Sequence, residues 1–148
     1  MSTLTANSDT IRLLRECDAA ITMAIDSINE VLTDVQDGEL QTILQKSKSR
    51  HEQLANETKQ LLSEYGDSGK EPPAIASGMS WLKTTVKLTV DPSDNTAADL
   101  ITDGCDNGVK SLRRYINQFP TADEKVKSVV DRLIAEEESL QEEVKSYL

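Results

Sequence analysis

The chain has 148 residues, 37% of them hydrophobic and 28% charged, and a formal net charge of −10. That length suits one domain whose core can stand without disulfides or a metal. The acidic balance gives no electrostatic footprint for nucleic acid and no attraction to an anionic membrane, and no apolar run approaches the roughly 18 residues of a membrane span.

Sixteen Lys and Arg residues are spread through the chain, so the excess acid reads as a solvated surface rather than a trap for cations. One Phe, one Trp and three Tyr leave the core to aliphatic side chains. The start, Met1 to Asn7, is polar and uncharged and lacks the basic and apolar regions of a secretory signal. Cys17 and Cys105 are therefore expected as reduced thiols in a cytoplasmic protein. Residues 1–8 are expected as a flexible terminus ahead of a single domain spanning the chain.

The first helix is expected over residues 11–35. Ile11, Leu14, Cys17, Ile21, Ile25, Ile28, Leu32 and Val35 recur at steps of three and four, one face of a helix. Ser8 or Asp9 is the expected cap. A second helix follows a short turn, with Asp37 as its N-cap and Gly66 as its stop. Its face reads Leu40, Ile43, Leu44, Ser47, His51, Leu54, Thr58, Leu61, Leu62 and Tyr65. At ~1.5 Å per residue it is about 40 Å long, a length that usually packs side by side in bundles.

The run GDSGKEPP from Gly66 reads as a linker. Within the crossover, 66–93, Met79, Leu82 and Val86 have helical spacing amid β-branched residues, and a short helix is expected. Asp91-Pro92 opens a third long helix running to Phe119, with Leu100, Ile101, Cys105, Gly108, Val109, Leu112, Tyr115 and Ile116 inward. Pro120 ends it. Thr121 and Glu124 have the spacing of a capping box for a fourth helix, whose inward face is Val126, Val130, Leu133, Glu137, Leu140, Val144 and Tyr147. Short turns make antiparallel neighbours. Two helical hairpins joined by one long crossover give an all-α, ferritin-like up-down four-helix bundle.

The hairpins echo each other. Cys17-Asp18 opens C-D-x-x-I and Cys105-Asp106 opens C-D-x-x-V, at an offset of 105 − 17 = 88. Glu52-x-Leu54 aligns with Glu138-x-Leu140 at 138 − 52 = 86. A pseudo-two-fold axis built on this echo sets Cys17 opposite Cys105 and pairs His51 with Glu137.

The order of helices, with R-H-E-x-L at Arg50, G-M-x-W-L-K at Gly78 and D-G-x-D-x-G-V at Asp103, resembles the bacterial ferritin-like four-helix-bundle family with a domain of unknown function. The resemblance covers the chain from Ile11 to Leu148. It implies the fold. It brings no activity with it.

Di-iron sites in ferritin-like bundles take a Glu from each of two helices and a Glu-x-x-His pair from each of the other two. No Glu-x-x-His is present. Lys48 precedes the lone His51 at i−3, and Ile134 precedes Glu137. Asp18 and Asp106 are the acids offered by the first and third helices. No metal and no cofactor are expected. Were a Zn²⁺ or Fe²⁺ held, its ligands would come from Cys17, Asp18, His51, Asp106 and Glu137. The bland reading is a packed histidine bonded to a carboxylate. Acids flank both cysteines, which disfavours a thiolate and makes them small buried hydrophobes, with a redox pair as the alternative. The run Glu136-Glu137-Glu138 reads as a solvated face with only Glu137 inward, and Met79 with Trp81 as a cover for the bundle or a partner surface. The expected function is non-catalytic: a bundle acting through protein contacts or self-association, with a second copy or an unknown protein as partner. A degenerate metal-binding or thiol-redox protein is the alternative. A bundle that opens on lipid is a third reading, and the acidic charge counts against it.

Overall fold

A computed structural model describes residues 7–66 and 91–148. Among them the regular structure is helical throughout: α1 (Ser8–Leu32), α2 (Gly38–Glu64), α3 (Asp94–Gln118), α4 (Glu124–Val144) and a closing 3₁₀ turn (Lys145–Tyr147). The short helix expected in the crossover, with Met79 and Trp81, lies outside the described residues. No described helix is long and apolar enough to cross a membrane.

Side-chain oxygens set where each helix begins. Asn7 accepts from the Thr10 amide (2.8 Å), Asp37 from Leu40 (2.9 Å), Ser93 from Thr96 (3.1 Å) and Asp123 from Lys125 (3.3 Å). Only Asp37 is the cap that spacing alone predicts. The capping box at Thr121 does not form, because Asp9 captures both the amide (3.1 Å) and the hydroxyl (2.7 Å) of Thr121. The cap passes to Asp123, and α4 starts at Glu124. Gly66 has φ 75°, the left-handed conformation that a residue just past a helix end needs and glycine adopts without strain.

The four helices pack in the order α1, α2, α4, α3 around the bundle. Their ends fix the directions. At one end Asn7 donates to the Thr121 carbonyl (2.7 Å), and the Tyr65 hydroxyl donates to Asp123 (2.6 Å). At the other, Asp94 accepts from the amides of Gln36 (2.7 Å) and Asp37 (3.1 Å), and Tyr147 donates to Asp37 (2.8 Å). Every adjacent pair is therefore antiparallel, and α2 ends where α3 does not begin. Gly66 and Asp91 sit at opposite ends of the bundle.

The buried stripe of α2 follows the predicted one, with Ile43 and Tyr65 only partly buried. That of α1 is turned: Leu13 and Val31 are fully buried, while Ile11, Ile25 and Leu32 are only partly so. In α3 the small residues Ala97 and Ala98 enter the core, and in α4 Val129 and Ile134 join it. The apolar core falls into two clusters. One gathers Leu13, Leu14, Ile21, Leu62, Val126 and Leu133 toward the Asn7 end, the other Ile28, Val31, Leu44, Ile101, Leu140 and Val144 toward the Asp94 end. Between them lies a polar layer.

Candidate functional site

That layer is built from α2 and α4. Ser47 and His51 are one helical turn apart on α2, and both are fully buried. The His51 Nδ1 donates to the Ser47 carbonyl at 2.8 Å, so Nδ1 carries a proton. The Nε2 is in direct hydrogen-bond contact with Glu137 Oε1 from α4. Glu137 is 6% exposed. Burial alone would push the His51 pKa down. The hydrogen bond and charge of Glu137, the Ser47 carbonyl and the nearby Glu136 outweigh it, and the pKa is raised above 6.5. The contact with Glu137 therefore favours the protonated form of His51.

The edge of the layer is held from outside. Glu136 accepts from Ser47 Oγ (2.8 Å) and from Arg50 Nε (2.7 Å). Sequence alone assigned Glu136 to the solvent; its side chain is 10% exposed and spans the α2–α4 seam. The signal was present, since Arg50 and Glu136 share the separation of 86 that pairs His51 with Glu137. Two turns further along the same seam, Arg132 grips Glu57 with both guanidinium nitrogens at 2.8 and 2.6 Å.

From α3 come Cys105 and Gly108. Desolvation first, then the charge and hydrogen bond of Glu137, raise the Cys105 thiol far above its ordinary range. A Cβ on Gly108 would stand 3.5 Å from Glu137 Oε2. Neither residue belongs to the ligand set read from the sequence, and neither contact has a signal in spacing.

The five residues of that set do not gather. His51 and Glu137 meet. Cys17 is fully buried two turns away, beside Thr58, about 10 Å along the axis at ~1.5 Å per residue, and burial pushes its thiol up to about 12. It does not face Cys105, so the echo's thiol pairing fails, and both cysteines are free. Asp18 is buried with its Oδ1 unpartnered; desolvation raises its pKa against the pull of Lys59. Asp106 is exposed and accepts from Gln141. Among the described residues no three His, Cys, Asp or Glu side chains form a group that could hold a metal ion. The donors do not fit one either: His51 spends Nδ1 on a carbonyl and points Nε2 at Glu137, with no gap between them for an ion.

On the α1–α3 side the layer looks into a groove of about 390 Å³. Its walls are small residues, Ala20, Ala24 and Ser27 of α1 and Gly104, Gly108 and Ser111 of α3, with His51, Cys105 and Glu137 on its floor. Glu16 and Asp103 also line it, and among the described residues no Lys or Arg does.

The raised His51 pKa has a consequence for stability. In the unfolded chain His51 titrates near ~6.5. The charged pair therefore contributes fully below that pH, and the contribution is lost as pH rises through the higher folded pKa. Groups facing His51 are Glu136 and Glu137 from α4, Ser47 from its own helix and Cys105 across Glu137. Thermal melts from about pH 6 to about pH 9 are expected to show the wild type losing stability relative to His51→Gln. Parallel profiles for the two proteins would contradict the charged pair.

Comparison of the chain with protein-family models, with curated proteins and with solved structures finds no match.

Proposed function

We propose that the protein is a non-catalytic bundle on a ferritin-like frame, acting in the cytoplasm through contacts with a second copy or another protein. The observation that carries this reading is the closed pair at the centre. His51 and Glu137 satisfy each other where a ferritin-like site would place its metal ligands. Three things support the frame: the two antiparallel hairpins, the opposite placement of Gly66 and Asp91, and the resemblance to the bacterial ferritin-like bundles. Both thiols are buried and raised in pKa, which argues against a nucleophile or redox pair. The central His51–Glu137 layer is taken up by its own bonds, which leaves the outer faces for contact with a partner.

Equilibrium dialysis of the untagged protein against Zn²⁺ and Fe²⁺, with a thiol titration of the native state, tests the reading. The expected result is no stoichiometric metal and two slowly reacting thiols. One ion per chain that disappears in His51→Ala, or a fast thiol, would sink it in favour of the metal or redox alternative. Light scattering across a concentration series separates self-association, where mass rises with concentration, from a role that needs another chain.

A further inference from the structure

One atom of the polar layer has a choice of partners. The Ser47 hydroxyl is fully buried, 2.8 Å from Glu136 Oε2 and 3.4 Å from His51 Nδ1. It carries a single proton and can donate to only one of them at a time. We propose that this hydroxyl is a two-position switch, which couples the protonation state of buried His51 to Glu136 on the α2–α4 seam.

The count of donors decides its position. In the imidazolium both ring nitrogens donate, Nε2 to Glu137 and Nδ1 to the Ser47 carbonyl. The ring then offers the hydroxyl no acceptor, and Ser47 donates to Glu136. When the ring gives up one proton, one nitrogen becomes an acceptor. A bare Nε2 would set its lone pair against the charged carboxylate of Glu137 in the bundle interior. A bare Nδ1 faces only a neutral carbonyl and has a hydroxyl within reach. The proton is therefore lost from Nδ1, and Ser47 turns to it. Glu136 gives up one of its two donors and keeps Arg50 Nε at 2.7 Å.

The same atoms give the proton a way out. The Nδ1–H bond breaks as its proton joins Ser47 Oγ, and the hydroxyl's own proton passes to Glu136 Oε2. The new O–H bond points at Nδ1, which is the second position of the switch. Glu136, with a side chain 10% exposed, releases the proton to water and returns to a carboxylate.

No other group around His51 can take the place of Ser47. From α4 come the carboxylates of Glu136 and Glu137, which accept. From α3 comes Cys105, whose thiol is bonded to Glu137 and held neutral by burial and by that charge. Glu16 of α1 and Asp103 of α3 line the groove beside the layer, and a carboxylate there also only accepts. Arg50 of α2 is turned to Glu136 and Glu143. The switch does not depend on what the outer faces of the bundle contact.

His51 is the sole histidine, so its ring nitrogens are read without ambiguity by nitrogen NMR of the full chain. The pH is raised until the ring is neutral, with circular dichroism confirming the fold. The wild type should lose its Nδ1 proton and keep the one on Nε2, and the side-chain carboxyl carbon of Glu136 should shift with the same midpoint. Ser47→Ala removes the hydroxyl and keeps the carbonyl. Its Glu136 response should fall several-fold, to what the field of the ring alone produces, and its neutral ring should move toward the form protonated at Nδ1. A neutral wild-type ring that keeps its proton on Nδ1 overturns the proposal without any variant. A wild-type Glu136 carbon that ignores the titration of His51 overturns it too, as does a response in folded Ser47→Ala as large as in the wild type.

Discussion

Glu137→Ala is expected to destabilise the protein by about 3–5 kcal/mol, because it leaves His51 buried without the partner of its Nε2. The imidazole can escape the worst of this by shedding its proton, which sets the expected loss near the lower end, about 3 kcal/mol. Replacing both partners has a different outcome. In His51→Leu with Glu137→Leu the layer becomes continuous with the two apolar clusters on either side. Its stability should lie within about 1 kcal/mol of the wild type or above it, since a buried pair repays little more than its own desolvation. Urea titrations of the single and double variants give the comparison. A Glu137→Ala loss under about 1 kcal/mol, or a double variant as unstable as the single, would show that the pair does not behave as a buried ion pair.

The second large effect is expected at Leu13. This side chain is fully buried among Leu14, Leu62 and Val130, although the periodicity of α1 points to Ile11 and Leu14 as the inward positions. Leu13→Ala should cost about 3–4 kcal/mol, the loss of a buried isobutyl group plus the cavity it leaves. Ile11 is only partly buried, and Ile11→Ala should cost about 1 kcal/mol. The order of the two losses, read from denaturation midpoints, checks the rotation of α1 about its axis. If Ile11→Ala proved the more damaging, the packing of the first helix would need revision.

What could be read ahead of the structure follows one physical distinction. Stripes with a single clear run of Leu and Ile, as on α2, define their own inward face. Where apolar residues are adjacent, as Leu13-Leu14 are, spacing admits two faces, and only the neighbouring helices choose between them. Caps behave in the same way. Asp37 caps α2 because nothing else competes for it across that turn. Thr121 is lost as a cap because Asp9, 112 residues away in the chain, binds it first.

The pairing of His51 with Glu137 lies between these cases. It was reachable through the echo between hairpins, which also predicts Arg50 opposite Glu136 without having been read that way. The same echo misplaces the thiols. Cys17 packs beside Thr58, two turns of α2 beyond His51, whereas Cys105 packs beside Glu137, so the two hairpins differ in register. An internal repeat in sequence fixes residue types, not the sliding of one helix along another, which is set by how side chains interlock.

By itself the sequence determined the four helices, the short turns that make two hairpins, and a histidine too poorly equipped to join a di-iron site. These are local matters: periodicity, turn length and the residue at i−3. The tertiary structure decided that His51 is spent on Ser47 and Glu137, that the core divides around this layer, and that Gly104, Gly108 and the alanines of α1 leave a groove beside it. Those outcomes depend on which helices are neighbours and at what register, and apart from the pairing of His51 with Glu137 that the hairpin echo offered, the spacing within a single helix does not encode them.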